Sequence, residues 1–229
     1  MKITAAVRGA AIAAMAVGVG LVACSSAATS HQASSSTAAP AKAGAKVTPL
    51  PQNDSGPNPT IAGYIKQNDI NETLVYPGDP GAPTLKLPVP DGWVDAGDDT
   101  PHWAYRAVVY NRTEAEDYTP SVVAVFSKLT GNVDQQKILQ LAPGELNDLP
   151  GFKPTSAGSP GTLAGFPAYQ LGGTWVQDGQ TKLVSQKTVV IPANDGLYVL
   201  QLNGDGLQSQ LGILGAATTI VDDQTTITR

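Results

Sequence analysis

The chain has 229 residues, 14 Lys and Arg against 19 Asp and Glu, and one cysteine. A lone cysteine excludes an internal disulfide framework, and the length allows one sizeable domain with flanking segments. From residue 58 onward there are 10 Lys and Arg against 18 Asp and Glu, a net charge of −8, which argues against nucleic acid or anionic headgroups as the main partner.

At the N-terminus, Lys2 and Arg8 precede an uninterrupted apolar or small stretch from Ala10 to Ala23. A charged segment followed by a short apolar core is the pattern of a secretory signal peptide, and the stretch is too short to span a bilayer comfortably. In Leu21-Val22-Ala23-Cys24 a small residue precedes the cysteine and aliphatic residues lie behind it. Bacterial lipoprotein processing requires this arrangement, in which the thiol receives diacylglycerol and cleavage makes Cys24 the new N-terminus. Residues 1–23 then form the signal peptide, and the mature chain is exported and lipid-anchored on the outer face of the inner membrane. The plainer alternatives are an ordinary Ala-x-Ala cleavage site with a cysteine nearby, or a buried structural thiol.

Residues 24–57 are dominated by Ser, Thr, Ala and Pro. Such a segment cannot bury enough apolar surface to fold, so it is expected to act as a tether whose root-mean-square reach is roughly 30 Å. Residues 58–229 carry all three tryptophans, with apolar strands between Gly and Pro turns, and read as one globular domain.

Within that domain, Thr60 can cap a short helix with Ile61, Tyr64 and Ile65 on one face, ending near Ile70. Thr73–Tyr76 and Thr84–Pro88 flank Pro77-Gly78-Asp79-Pro80-Gly81 and predict a hairpin. Pro90-Asp91-Gly92-Trp93 predicts a turn that delivers a tryptophan to the core. Tyr105–Tyr110 and Ser121–Leu129 predict central strands. Asp134 can cap a helix with Ile138, Leu139, Leu141 and Leu146, interrupted at Pro143-Gly144. Phe166–Val176, Lys182–Ile191 and Leu197–Asn203 are separated by Asp178-Gly179 and Asp195-Gly196, which predicts an antiparallel meander with tight hairpins. Asp205 is expected to open a last helix carrying Leu207, Leu211, Leu214 and Ile220 on one side. The order of elements predicts an α+β fold, an antiparallel sheet with helices packed on its faces.

Catalytic signatures are sparse. After processing, the histidines are His31, in the tether, and His102, in the loop Asp98-Asp99-Thr100-Pro101-His102-Trp103. No Gly-x-Ser-x-Gly elbow presents a nucleophile, so His102 reads as a surface or rim histidine. The chain has no His-x-x-x-His pair. Asp98-Asp99 and Asp222-Asp223 lack the spaced acidic ligands of a calcium loop, and Gly172-Gly173 lacks the Lys-Ser/Thr of a phosphate loop. The glycine pair reads better as a packing or bulge site in a strand. No catalytic residue, metal or cofactor is predicted.

Six stretches together resemble the LpqN lipoprotein family of mycobacteria. They are Gly78–Thr84, Leu87-Pro88-Val89-Pro90-Asp91-Gly92-Trp93, Ser127–Gly131, Ala142-Pro143-Gly144-Glu145-Leu146, Gln186–Pro192 and Asp223–Thr228. The resemblance implies a PsbP/Mog-like fold, an antiparallel sheet sandwiched by helices. It also implies an envelope lipoprotein connected with mycolate or glycolipid trafficking beside RND-type lipid exporters, and it supplies no catalytic set.

Two functional readings follow from different classes. In the first, the protein binds (glyco)lipid in an apolar groove; in the second, it is a protein-docking module without a small-molecule ligand. An envelope esterase or transferase is a third reading, the weakest for want of nucleophile machinery. Trp93, Trp103 and Trp175 are by default core-filling aromatics, although one or two of them lining a pocket would suit acyl chains. The final helix, with Leu211 and Leu214 beside Gly212 and Gly215, is the element expected to yield space for a ligand.

Overall fold

Three long strands organise the domain, and their lengths follow from two short turns. In the computed structural model, which describes residues 47, 56–115 and 117–229, these strands are β8 (Phe166–Gln177), β9 (Gln180–Ala193) and β10 (Gly196–Leu207). Asp178 and Gly179 both adopt positive φ, 52° and 76°, which closes the two-residue hairpin between β8 and β9. Paired positive φ values match the twist of antiparallel strands, and Asp-Gly tolerates them. The β9–β10 hairpin differs in detail. Its loop is Asn194-Asp195, and Gly196 is the first residue of β10, paired with Ala193.

The other elements are α1 (Ile61–Gln67), β1 (Asn71–Leu74), β2 (Thr84–Lys86), β3 (Trp93–Asp95), β4 (Arg106–Tyr110), β5 (Ser121–Thr130), α2 (Gln135–Leu141), α3 (Gly144–Asn147), β6 (Lys153–Pro154), β7 (Ser159–Leu163), α4 (Leu211–Gln224) and β11 (Thr226–Thr228). The main sheet runs β3-β4-β5-β10-β9-β8-β6, with β1 also on β5 and β7 also on β8. All its pairings are antiparallel. The described residues fall in the second of two compact units, Ala38–Arg229. Cys24 lies outside the described residues, as does the tether apart from Val47, Gly56 and Pro57.

Alternation along the strands sends side chains to two faces. On one face Phe126, Tyr198, Leu200, Val189 and Val108 pack against Leu214, Ala217 and Val221 of α4 and against Leu85 of the β2–β11 ribbon. On the other, Leu129, Val190, Leu197 and Val199 pack against Ile61 of α1 and Ile138 and Leu141 of α2. Leu146, Leu149, Leu171, Trp175 and Val184 form a separate cluster beneath α3. The layering is the expected α+β arrangement of helices on both faces of an antiparallel sheet.

Several local expectations hold. Thr60 Oγ1 accepts from Gly63 N at 3.0 Å at the start of α1, and Asp134 Oδ1 accepts from Gln136 N and Lys137 N at 2.8 and 3.2 Å at the start of α2. Trp93 does reach the core, 6% exposed and edge-on to Tyr110 with ring centroids 5.8 Å apart. Gly173 is a packing site, because a Cβ there would collide with Lys153 O and the Phe152 ring.

Others are corrected. The expected hairpin across Pro77–Gly81 does not form: β1 pairs with Ser127–Thr130 of β5, and β2 pairs with β11 near the C-terminus. Because β4 covers only Ser121–Ala124 of β5, the rest of that edge is open to β1, while Leu85 is drawn to the opposite face. Asp205 and Leu207 do not open the last helix but end β10, extending its pairing with β9 to Lys182. The helix begins at Leu211, after a 3-10 turn over Gln208–Gln210. Its buried residues are Leu214, Ala217 and Val221, whereas Leu211 is 60% exposed. Lys153-Pro154 and Ser159–Leu163, which lie between the predicted elements, supply β6 and β7 on the outer edge of β8. Only Leu163 of β7 is buried, so the segment carries none of the alternation that marks a half-buried strand.

Candidate ligand-binding cavity

The face of the sheet beneath α1–α3 changes character along its strands. On β10 the residues facing it read Leu197, Val199, Gln201, Asn203 and Asp205, apolar at one end and charged at the other. Beside them on β5 lie Leu129, Ser127 and Val125, in register with Leu197, Val199 and Gln201. Helix α1 covers the apolar end, and α3 reaches the polar part through Glu145.

A cavity of about 520 Å³ lies between these elements. Its floor is Val125, Ser127 and Leu129 of β5 with Val199, Gln201 and Asn203 of β10. Ile61, Ala62 and Ile65 of α1 form one wall, Glu72 and Leu74 of β1 another, and Trp103 and Glu145 complete the lining. Helix α1 is held there at both ends. Before it, Asn58 Nδ2 donates to Asp148 Oδ1 at 2.6 Å and Gly144 packs against the backbone of Pro59. Further along, Tyr64 OH accepts from Asp134 N at 3.0 Å, and Asp69, with φ 49°, turns the chain out of the helix.

The polar end is a side-chain network. Gln186 Nε2 donates to Glu145 Oε2 at 3.0 Å and to Asn203 Oδ1 at 3.1 Å, and Gln201 Nε2 donates to Glu145 Oε2 at 3.2 Å. Further along the same face, Lys182 and Asp205 are almost fully buried beside Tyr118. Burial pushes the Lys182 ammonium below its ordinary pKa and the Asp205 carboxyl above its own, each against the opposing pull of the other's charge.

Of the five residues expected to meet a ligand, the structure brings Trp103 alone to this cavity. Trp103 is half-buried, packed against the cluster of Ala96, Ala104, Ala107, Val109 and Val123. Its loop is tied down where Tyr76 OH donates to the carbonyl of His102 at 3.1 Å; His102 itself is exposed. Trp93 and Leu214 are buried on the opposite face. Trp175 is buried beneath α3, its indole Nε1 without an acceptor among the described residues. Leu211 is on the outer side of α4. Sequence reasoning missed Ile61, Ile65, Glu145, Gln201 and Asn203. The polar residues on the inward positions of β10 were the available signal, legible once the strand is known to extend to Leu207. A smaller cavity of about 250 Å³ lies on the α4 face, over Gly172, Ser185 and Gly204.

The sequence profile of the family described as "Probable lipoprotein LpqN" matches residues 57–228. The chain belongs to the LpqN lipoprotein family. Lipoprotein LpqN of Mycobacterium tuberculosis is 48% identical over 174 residues, 76% of each chain. The crystal structure of that LpqN, described as involved in cell envelope biogenesis, superposes with a TM-score of 0.72, covering 76% of this chain and all of the other. The chain therefore shares the fold of that LpqN, the α+β arrangement of an antiparallel sheet with helices on both faces. The family match also takes in the residues that frame the cavity, from Ile61 to Asn203.

Proposed function

We propose that the protein is a non-enzymatic lipoprotein of the cell envelope that holds a (glyco)lipid in the cavity beneath α1. In this reading it supports mycolate or glycolipid trafficking beside RND-type lipid exporters. The observation that carries the ligand is the two-ended cavity. Ile61, Ile65, Leu129 and Val199 offer an apolar wall for an acyl chain, and Trp103 with Glu145, Gln201 and Asn203 offers the aromatic and amide or carboxylate groups that suit a hydroxylated head. At about 520 Å³ the space is within the range of small-molecule sites. Each buried methylene contributes up to about 0.8 kcal/mol, so a modest length of chain supplies useful affinity without covalent chemistry.

The involvement of the M. tuberculosis relative in cell envelope biogenesis supports the setting. The exporter partner rests on the family resemblance alone. Anchoring through acylated Cys24 rests on the sequence of residues 21–24, and incorporation of labelled palmitate that persists in Cys24→Ala would refute it. The ligand is tested by native mass spectrometry of the protein purified from a mycobacterial host, followed by lipid extraction and titration with trehalose glycolipids. Stoichiometric, displaceable lipid is expected. A clean apo mass at high ligand would turn the reading to a docking module without a small-molecule ligand.

A further inference from the structure

The apolar part of the cavity floor carries a hydroxyl. Ser127 of β5 lines the cavity and is 5% exposed. Strand register sets apolar residues around it: Leu74 of β1 and Val199 of β10 lie directly across, one on each side. Along β5 its neighbours on the same face are Val125 and Leu129, each about 7 Å away. Ser127 Oγ has no hydrogen-bond partner among the described residues. The hydroxyls of Ser121, Thr188 and Thr225 also lack partners there, but those oxygens are sealed inside the protein. The Ser127 oxygen is not sealed, and the space beside it is the cavity. Solvent can satisfy such a hydroxyl, and an acyl chain laid over it displaces that solvent. A saturated chain then leaves the hydroxyl desolvated and unpaired, whereas a chain with an acceptor at that level replaces the lost bond.

The level is fixed by the strands. Gln201 stands opposite Val125, so the amides of Gln201 and Asn203 begin about 7 Å beyond Ser127, and Leu129 lies the same step away on the other side. A head among the amides and a chain over Leu129 put the junction between them at Ser127. In an acyl ester that junction carries a carbonyl, a strong acceptor that projects from the chain. In an alkyl ether it carries only a weakly accepting ether oxygen. A site built to hydrogen-bond a ligand group discriminates against the analogue that lacks it. On the reading that this cavity holds the ligand, we propose that Ser127 donates to the carbonyl where acyl chain joins head, so that the cavity selects O-acyl amphiphiles over O-alkyl ones of the same head and chain length. Ser127 is the specificity-determining residue.

The test is calorimetric titration of the full chain carrying Cys24→Ala, so that no thiol is available for acylation. The two probes are 6-O-dodecanoyl trehalose and 6-O-dodecyl trehalose, which differ in the carbonyl alone, both below their micellar concentrations. The ester is expected to bind about three- to tenfold more tightly. Ser127→Ala should bring that ratio to within about twofold, weakening the ester and leaving the ether as tight or tighter. A general packing effect would move both probes together and keep the parent ratio. Equal affinities in the parent chain overturn the assignment, as does a ratio that Ser127→Ala leaves unchanged. If thermal melting shows Ser127→Ala to be unfolded, Ser127→Cys, of similar shape with a weak donor, decides with the same expectation. Binding of neither probe instead overturns the ligand-cavity reading itself.

Discussion

The phenol of Tyr118 bridges two almost fully buried charges on neighbouring strands. Lys182 Nζ donates to Tyr118 OH at 2.6 Å, Tyr118 OH donates to Asp205 Oδ2, and the ammonium and carboxylate are themselves 3.7 Å apart. Lys182 also lies 4.0 Å from the centre of the Tyr118 ring. Gln210 locks the loop that carries Tyr118, its Nε2 donating to the carbonyls of Glu114 and Tyr118 at 2.8 Å each. Asp205, expected to begin a helix, instead joins the β4–β5 loop to the sheet.

Removing one partner of a buried pair leaves the other uncompensated. Asp205→Asn, with Lys182 retained, is expected to lower unfolding free energy by about 3–5 kcal/mol, whereas the double substitution Lys182→Met with Asp205→Leu should come back to within about 2 kcal/mol of the parent. Urea unfolding of the three proteins checks this. A single substitution costing no more than the double would show that the pair is not coupled.

The pH dependence of Lys182→Met follows from the raised pKa of Asp205. A carboxyl whose folded pKa exceeds its unfolded value binds its proton more tightly in the folded protein. Its contribution is therefore full below the unfolded value and is lost as pH rises through the folded one. Without the ammonium, burial acts on Asp205 with less opposition. Lys182→Met is thus expected to be more destabilised relative to the parent at about pH 7.5 than at about pH 4.5. A larger loss at the acid end would contradict the assignment.

Gly144 is where α3 meets the segment entering α1, and a Cβ there would overlap the carbonyl oxygen of Pro59. Because the clash is with backbone, Gly144→Ala is expected to cost about 1–3 kcal/mol. It should also loosen α1 over the cavity, weakening trehalose glycolipid binding and raising hydrogen exchange across Ile61–Gln67. Gly212→Ala on the open side of α4 is the control, expected to be neutral or slightly stabilising.

The tryptophans should separate stability from binding. Trp93→Ala removes a ring buried between sheet and ribbon and is expected to cost about 3–5 kcal/mol. Trp103→Ala, at a half-buried site, should cost less and instead reduce lipid affinity. Thermal unfolding beside titration of both variants distinguishes the two roles, and unchanged affinity in a folded Trp103→Ala would remove that residue from the site.

What the sequence determined by itself are features written within a few residues of one another. The Thr60 and Asp134 caps, the Asp178-Gly179 turn and the alternation along residues 166–203 each follow from local hydrogen bonding, backbone dihedrals or burial period, so the antiparallel meander and its helices are legible without coordinates. The family is legible too, since its motifs recur in order along the domain. Only tertiary structure decided the partners of short strands. Nothing near Asn71–Leu74 or Thr84–Lys86 specifies pairing with β5 or with β11, because those pairings depend on which edges the long strands leave open. The extension of β10 through Asp205 is non-local for the same reason: its carboxylate is compensated by Lys182 and Tyr118, far off in sequence. The cavity follows suit. Trp93, Trp103 and Trp175 have the same composition signal, and the face and depth at which the fold leaves each ring separate core from lining.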